Sequence, residues 1–328
     1  MNLNTEKNDF INKMNTYGGD KTPFLFIIDF DSIKPIIIPI SEINPEEIIF
    51  QTEILDNFNR NEKQYPKEFT FEKFPISYTQ YKKAFDRVMD NILSGNSYLL
   101  NLTFPTKVET TLTLMEILKY SKAKYKLYFK NQFICFSPEI FIKIIDGKIF
   151  SYPMKGTIDA AIENAEEIIM SDEKEFAEHN TIVDLIRNDL SIVSKKVRVS
   201  KFRYADYIRT NNKNLIQISS EICGELPKDW HHNIGNIFGK LLPAGSVTGA
   251  PKQKTVEIIN QVEGYKRGYY TGIFGVFDGE NIDSGVMIRY IENIDGELYF
   301  KSGGGITSQS NPEAEFQELI DKVYVPVF

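Results

Sequence analysis

Short hydrophobic runs recur along most of this chain, and polar segments with helical spacing lie between them. The runs Phe24–Phe30 and Pro35–Ile40 predict two strands joined by a turn at residues 31–34. From Ser77 to Leu93 apolar side chains recur every three or four positions, which predicts an amphipathic helix that ends at Ser94-Gly95. Further strands are predicted at Ser97–Phe104, Tyr125–Lys130, Gln132–Phe136, Glu139–Ile145, Lys148–Tyr152, Lys196–Phe202 and Leu215–Leu226, and further helices over Lys174–Leu190 and Asn233–Leu242.

The balance of strands and helices indicates the fold class. Many long strands with few but long helices favour an α/β protein with large antiparallel or mixed sheets and helices on their outer faces. Residues 51–75 are polar and predict a loop or a weak helix. No internal repeat or clear linker divides the chain.

Composition narrows the function classes. The 328 residues carry a net charge of -7, which argues against nonspecific binding to nucleic acid or to an anionic membrane surface. No apolar run approaches the ~18 residues of a membrane span, and no signal peptide is visible at the start. Two cysteines, Cys135 and Cys223, cannot form a disulfide framework. We therefore expect a protein of the cytoplasm.

Two pairs of glutamates have the spacing of one helical turn. Glu175 and Glu178 share one face of the predicted helix, and Glu315 and Glu318 repeat the spacing near the C-terminus. Together the pairs could enclose one hard divalent cation, which prefers oxygen ligands. We expect the motifs to hold no lysines that compensate these charges. The alternative for either pair alone is a solvated helix face.

Three glycine-containing segments could hold a small anion. Pro243–Lys252 precedes a helix predicted to begin near Pro251, although its spacing is not that of a Walker A loop. Ser302–Ile306 could let backbone approach a ligand closely, or form a tight turn. Ser151–Thr157 places Lys155 before a Gly-Thr turn, where a lone lysine is usually an exposed surface residue.

The motifs together resemble those of the chorismate-utilising enzymes, which include anthranilate, aminodeoxychorismate, isochorismate and salicylate synthases. The resemblance spans about Ser77 to Phe328, and its motifs occur in the family's order and at its spacing. It implies an α+β fold like that of anthranilate synthase component I, with two large, mostly antiparallel sheets packed together and helices outside. Residues 1–75 would be a reduced N-terminal subdomain that contributes strands to the same fold, and residues 76–328 the chorismate-binding catalytic region. The motifs that carry it are Ser137-Pro138-Glu139, Pro153–Thr157, Lys174–Leu190, Pro243–Lys252, Arg267–Gly272, Ile288-Arg289, Gly303–Ile306 and Pro312–Lys322.

Within this family the resemblance implies which reaction is performed. Anthranilate synthases have alanine at the position of Lys155, whereas aminodeoxychorismate synthases have lysine there. Isochorismate and salicylate synthases instead have a lysine that activates water. By the resemblance, the matching residue here is Leu99, which cannot activate water. Gln217 aligns with a histidine common in anthranilate synthases; it can exchange hydrogen bonds but cannot titrate.

The resemblance also implies the site. Mg²⁺ would be held by Glu175, Glu178, Glu315 and Glu318, some of them through water. Glu139 would protonate the leaving C4 hydroxyl and Lys155 would add to C2, which requires a depressed pKa for that lysine. Ammonia from a glutamine amidotransferase subunit would then give 4-amino-4-deoxychorismate, a precursor of 4-aminobenzoate and folate. The substrate-binding residues implied are Gly156, Thr157, Gln217, Thr248, Tyr270, Arg289, Gly303, Gly304, Gly305 and Lys322.

Two other functions remain open at this stage. One is an anthranilate synthase component I with an unusual lysine, and the other is a non-catalytic chorismate-binding paralogue. Among the remaining polar residues, we expect His179 to orient its helix rather than to react. We expect Arg187, Asn188 and Asp189 to cap and pin the end of that helix, and Asp184 either to support the metal ligands or to join that pinning network.

Overall fold

The computed structural model describes residues 3–58, 68–208 and 214–326. Within these ranges the helices are α1 (Leu3–Gly19), α2 (Tyr78–Leu93), α3 (Leu114–Tyr120), α4 (Ala165–Ser171), α5 (Glu173–Val193), α6 (Ile234–Leu241), α7 (Lys252–Val262) and α8 (Pro312–Asp321). The strands are β1 (Phe24–Ile28), β2 (Ile36–Pro39), β3 (Ile48–Gln51), β4 (Phe71–Phe74), β5 (Leu99–Thr110), β6 (Tyr125–Phe129), β7 (Phe133–Ser137), β8 (Ile140–Ile145), β9 (Lys148–Ser151), β10 (Met154–Asp159), β11 (Lys195–Ile208), β12 (Leu215–Glu225), β13 (Gly249–Ala250), β14 (Ile273–Phe277), β15 (Ile282–Val286), β16 (Tyr290–Ile294) and β17 (Glu297–Ile306).

Two sheets contain these strands. Over the described ranges the first sheet has nine strands in the order β10-β12-β9-β8-β15-β14-β1-β2, with β11 also paired to β12. The second has eight, in the order β13-β5-β17-β16-β7-β6-β3, with β4 also paired to β5. The ladder between β5 and β17 runs from Leu100 opposite Ile306 to Val108 opposite Leu298 and is antiparallel. The expectation of two large antiparallel sheets with helices is confirmed.

Apolar side chains fill three layers around these sheets. Between the sheets, Leu25 and Ile27 of β1 belong to the same buried cluster as Phe133 and Tyr290 of the second sheet. The outer face of the first sheet packs on helices, with Phe26, Met14, Leu190 and Phe238 in one cluster. The outer face of the second sheet packs on α2, α7 and α8 through Leu102, Phe85, Ile259 and Leu319. Because β1 is covered on both faces, its sequence is a continuous apolar run.

The sequence did not predict every element. Helix α1 went unrecognised although Phe10 and Met14, one turn apart, are both buried. Helix α3 was also missed; it begins at a capping box in which Thr113 and Glu116 exchange hydrogen bonds. The prediction of a loop or weak helix at residues 51–75 is wrong at Phe71–Phe74, which is strand β4, and residues 59–67 lie outside the described ranges.

In the described part of the chain, no helix is long and apolar enough to cross a membrane.

Candidate functional site

A cavity of about 540 Å³ collects the predicted site residues. Its walls come from strands of both sheets, from α5 and α8, and from the loop that precedes β13. The predicted residues on these walls are Glu139, Lys155, Gly156, Thr157, Glu175, Glu178, Gln217, Tyr270, Arg289, Gly303, Gly304, Gly305, Glu315, Glu318 and Lys322. Thr248 is the exception: it is fully buried, and its hydroxyl donates to the Ala244 carbonyl at 2.8 Å, so it braces its own loop rather than facing the cavity.

Lys155 lies on β10, not before a turn as the sequence suggested. The β10–β12 register shifts between Lys155 and Thr157, and Gly156 between them has a φ of +77°, the mark of a β-bulge. A Cβ on Gly156 would stand 3.0 Å from a Glu175 carboxylate oxygen. The bulge therefore brings β10 close against α5, and only glycine fits there without strain.

The ammonium group of Lys155 pairs with Glu178 at 2.6 Å. Burial lowers the pKa of Lys155, but the negative charges of Glu178, Glu175 and Glu318 outweigh burial and raise that pKa above its usual value. The expectation of a depressed pKa is therefore wrong for the protein in this state. Lys155 is a stable cation while its glutamate partner is in place.

The two glutamate pairs lie on two helices, α5 and α8, that line the cavity. Asp172 caps α5 by accepting from the Glu175 backbone at 2.9 Å, and Asn311 caps α8 by accepting from the Ala314 backbone at 2.9 Å. These caps fix the first turn of each helix, and both pairs line one cavity, where the Glu318 side chain remains 52% exposed.

The charges of these glutamates are partly compensated, contrary to expectation. Lys155 holds Glu178, and Lys322 holds Glu318 at 2.5 Å. Among the described residues, no three carboxylate, histidine or cysteine side chains are already gathered at metal-binding distance. The donor set is nevertheless four carboxylates, which suits a hard divalent cation. A cation would have to draw Glu178 and Glu318 away from their lysines.

Glu139 follows β7 and accepts a hydrogen bond from the Ser246 hydroxyl at 2.5 Å. Burial raises the pKa of Glu139, while the Ser246 hydrogen bond and the charges of Lys322 and Arg289 oppose that rise without cancelling it. A carboxyl group in this environment keeps its proton to higher pH than an exposed glutamate does. Ser246 was not among the predicted site residues.

Positive charge surrounds the same cavity. Arg289 has a φ of +52° and lies over the Tyr324 ring at 5.1 Å, and Lys322 donates to the Gly303 carbonyl at 2.9 Å. Lys301, also missed from the sequence, lines the cavity although it is almost fully buried, and it pairs with Glu292 at 2.6 Å. Burial raises the pKa of Tyr270, so its hydroxyl stays a hydrogen-bond donor.

The segment Ser302–Ile306 lies within β17, so it forms neither a loop nor a turn. Gly304 pairs with Leu102 of β5, and a Cβ on Gly304 would lie 3.2 Å from a Glu315 carboxylate oxygen. At Gly303 a Cβ would meet the Leu102 carbonyl at 2.2 Å. The absence of side chains therefore lets α8 and its glutamates approach the strand.

A buried arginine supports the loop before β13. Arg267 forms an ion pair with Glu263 at 2.6 Å, and both side chains are 1% exposed. Its remaining guanidinium hydrogens reach the carbonyls of Val247 at 2.8 Å and Asn101 at 2.6 Å. One side chain thus ties the helix α7 region, strand β5 and the loop into one rigid unit.

The other polar residues of α5 have structural contacts. His179 is buried and its Nε2 lies 2.6 Å from the Ser220 hydroxyl on β12, consistent with the expectation that it orients the helix. Asp189 pins the loop by pairing with Lys252 at 2.9 Å, but α5 continues to Val193, so it does so from within the helix rather than at its end. Asp184 is exposed and pairs with Arg187 at 3.0 Å, which excludes a role in supporting the glutamates.

The walls also contain the two residues that depart from the family pattern. Leu99 lines the cavity and is 7% exposed, so this part of the wall is apolar. Gln217 on β12 reaches the Thr157 hydroxyl at 3.5 Å across the β10–β12 ladder. Neither side chain can take up or release a proton near neutral pH.

Comparison with known proteins gives a relative of similar length and two longer ones that this chain matches over 55–60% of their length. A Haemophilus influenzae protein named "Uncharacterized PabA-like protein" is 49% identical over 97% of this chain and 96% of its own length. Anthranilate synthase component 1 of Archaeoglobus fulgidus is 33% identical over 74% of this chain and 60% of that protein. Aminodeoxychorismate synthase component 1 of Bacillus subtilis is 30% identical over 76% of this chain and 55% of that protein.

Solved structures share the fold. Anthranilate synthase component I from Streptococcus pneumoniae superimposes with a TM-score of 0.67 over 79% of this chain and 60% of that chain, at 25% identity. The menaquinone-specific isochorismate synthase MenF from Escherichia coli gives a TM-score of 0.70 over 98% of this chain and 81% of that chain, at 15% identity. The family described as chorismate binding enzyme matches residues 42–327. This protein therefore belongs to the chorismate binding enzyme family.

Proposed function

We propose that this protein replaces the C4 hydroxyl of chorismate with an amino group and so forms 4-amino-4-deoxychorismate. The observation that carries the proposal is Lys155, an amine on the cavity wall among the carboxylates of α5 and α8. By the resemblance described above, anthranilate synthases have alanine at this position. The relative named aminodeoxychorismate synthase component 1 supports the same assignment.

The charges around the cavity suit a dianionic substrate. Arg289, Lys322, Lys301 and Lys155 supply cations, and Tyr270 supplies a hydroxyl donor. The glutamates of α5 and α8, two of which pair with Lys155 and Lys322, would repel chorismate unless a further cation neutralised them. We therefore propose that Glu175, Glu178, Glu315 and Glu318 hold Mg²⁺, which would supply positive charge beside a substrate carboxylate when bound.

In the first step the Lys155 amine adds to C2, the ring double bonds shift, and the C4–O bond breaks. The leaving hydroxyl takes the proton of Glu139 and departs as water. Lys155 must be neutral to react, and here Glu178 keeps it charged. A cation that engaged Glu178 would weaken the main influence that opposes burial, and burial by itself lowers the pKa of Lys155.

In the second step ammonia adds to C4, the double bonds shift back, and the C2–N bond to Lys155 breaks. The Glu139 carboxylate takes one proton from the new ammonium group and is ready for another cycle. The sum is chorismate and ammonia in, aminodeoxychorismate and water out. Leu99, which lines the cavity, has an apolar side chain that cannot activate water for attack on the ring.

The source of ammonia is proposed to be a glutamine amidotransferase subunit. Two relatives are named as component 1 of a synthase, which supports a partner component. The product would supply 4-aminobenzoate for folate synthesis. We place the reaction in the cytoplasm, where the buried thiols of Cys135 and Cys223 remain reduced.

A second candidate is anthranilate synthase, since the Archaeoglobus relative with that name is 33% identical. It would aminate C2 rather than C4. Lys155 disfavours it because, in the proposed mechanism, the lysine amine itself adds to C2 and so blocks ammonia from that carbon. The identity of the product separates the two functions.

The deciding experiment uses the full chain with chorismate, Mg²⁺ and ammonium, then with glutamine and an amidotransferase subunit. Liquid chromatography with mass spectrometry should detect aminodeoxychorismate in the wild type and none with Lys155→Ala. Lys254→Ala is the matched control, because Lys254 pairs with the exposed Glu257 on α7 and does not line the cavity. Anthranilate from the wild type would establish the second candidate, and unchanged chorismate would indicate a non-catalytic paralogue.

A further inference from the structure

The loop at residues 243–251 is held by hydrogen bonds to several of its carbonyls. Asn101 and Arg267 both donate to the Val247 carbonyl, at 3.1 and 2.8 Å. The Ser97 hydroxyl donates to the Ala250 carbonyl at 3.0 Å, and Thr248 donates to Ala244. At the end of the loop, Lys252 pairs with Asp189 and donates to the Leu241 carbonyl at 2.6 Å. The loop is therefore a rigid support.

This support presents one hydroxyl to Glu139. The Ser246 side chain lies on the cavity wall, and its Oγ is 2.5 Å from Oε1 of Glu139. The preceding Gly245 has no room for a side chain, since a Cβ there would stand 3.0 Å from an Asp189 carboxylate oxygen. The loop backbone that carries Ser246 is therefore packed closely against α5.

The charged and titratable groups that face Glu139 come from three other segments. Lys322 extends from the end of α8, Arg289 precedes β16, and Tyr270 lies in the segment before β14. These groups change the charge around Glu139 but do not distinguish its two oxygens by a hydrogen bond. Ser246 does distinguish them, because it donates to Oε1.

We propose that Ser246 is a positioning residue that occupies Oε1 of Glu139 and so confines the acidic proton to Oε2. This inference rests on the proposed function for the role of Glu139 as acid. A carboxylic acid has one proton and two oxygens, and a donor fixed on one oxygen leaves the other to bear the proton. Without Ser246 the carboxyl group can rotate and offer either oxygen to the substrate.

The first test compares Ser246→Ala, Ser246→Thr and Ser246→Val. Threonine keeps the hydroxyl, and valine is its matched control without one. We expect kcat to fall about 10- to 100-fold in the alanine and valine variants, the size of effect that small misplacements of a reacting group produce, with KM changed less than about twofold. The threonine variant should recover most of the loss.

The pH dependence separates positioning from a general loss of structure. Because the Ser246 hydrogen bond favours the ionised carboxylate, its removal raises the pKa of Glu139. The alkaline limb of the kcat profile should therefore move to higher pH in Ser246→Ala. A merely structural role would lower the melting temperature or raise KM and leave that limb in place, and this result would overturn the proposal.

An infrared titration tests the same contact without turnover. The carboxylic acid band of Glu139 is obtained by subtracting the spectrum of Glu139→Gln from that of the wild type. Its midpoint should lie at higher pH in Ser246→Ala than in the wild type, and an equal midpoint would overturn the proposal. If the wild type fails to consume chorismate, the proposed function fails, while the infrared midpoint still decides whether Ser246 controls Glu139.

Discussion

Replacing Arg267 by methionine should destabilise the protein strongly. The substitution leaves the Glu263 carboxylate buried at 1% exposure without its cation, and it leaves the Val247 and Asn101 carbonyls without these donors. Breaking a buried pair by removing one partner costs about 3–5 kcal/mol. With an unfolding entropy of roughly 2.1 cal/mol/K per residue, a chain of this length should lose about 4–7 °C in Tm.

The assay is urea denaturation followed by circular dichroism, with a thermal scan on the same samples. Lys254→Met is the matched control, because Lys254 pairs with Glu257 on the exposed face of α7 and its loss should change the free energy of unfolding by less than about 0.5 kcal/mol. Arg267→Lys should fall between the two, since one ammonium group cannot reach Glu263 and both carbonyls together.

A loss below about 1 kcal/mol for Arg267→Met would refute this reasoning. It would mean that the backbone and hydroxyl of Thr103, which both donate to Glu263 at 2.9 Å, satisfy the carboxylate without the arginine. A loss of the expected size, together with weaker binding of chorismate, would show that the same side chain supports both the fold and the loop before β13.

Four further predictions concern the cavity. Arginine at position 155 keeps the charge but is a far poorer nucleophile, so Lys155→Arg should be as inactive as Lys155→Ala. Intact-mass spectrometry without ammonia should find a substrate-derived adduct only on the wild type. An active arginine variant with no adduct would contradict the nucleophile role of Lys155. Chelation by EDTA should abolish turnover and Mg²⁺ should restore it, with Glu315→Gln requiring more Mg²⁺ than the wild type; full activity of either protein in EDTA would exclude the metal. Glu139→Gln should lower kcat by about 10²–10⁴-fold. The folded protein raises the pKa of Glu139, so the stabilising contribution of this group is complete below its unfolded pKa and is lost as pH rises through its folded pKa. Glu139→Gln should therefore be more stable than the wild type at pH 7 but not at pH 4. Equal differences in the free energy of unfolding at the two pH values, measured by urea titration, would contradict this.

The sequence predicted those parts of the site that depend on local spacing. The glutamate pairs on α5 and α8 follow from helical geometry, and the helix predicted over Lys174–Leu190 is observed over Glu173–Val193. The predicted helix start near Pro251 is also confirmed, since Pro251 is the N-cap of α7. Each of these features is decided within a few residues of the chain.

The contacts between distant segments could not be predicted in this way. The pairing of Lys155 with Glu178 depends on the bulge at Gly156, and a Gly-Thr sequence is equally compatible with a turn. Lys301 lies next to a glycine run that is compatible with a surface loop, and only the β16–β17 ladder shows that it is buried. Ser246 has no local signal, because its partner Glu139 comes from another part of the fold.

The long ladder between β5 and β17 has a consequence for how the protein is made. It joins positions about 200 residues apart, so one wall of the cavity is absent until the ribosome has delivered β17. Helix α8, with two of the four glutamates and Lys322, is synthesised later still. A nascent chain therefore cannot capture chorismate or a divalent cation at this site, and ligand binding can stabilise only molecules whose synthesis has passed α8.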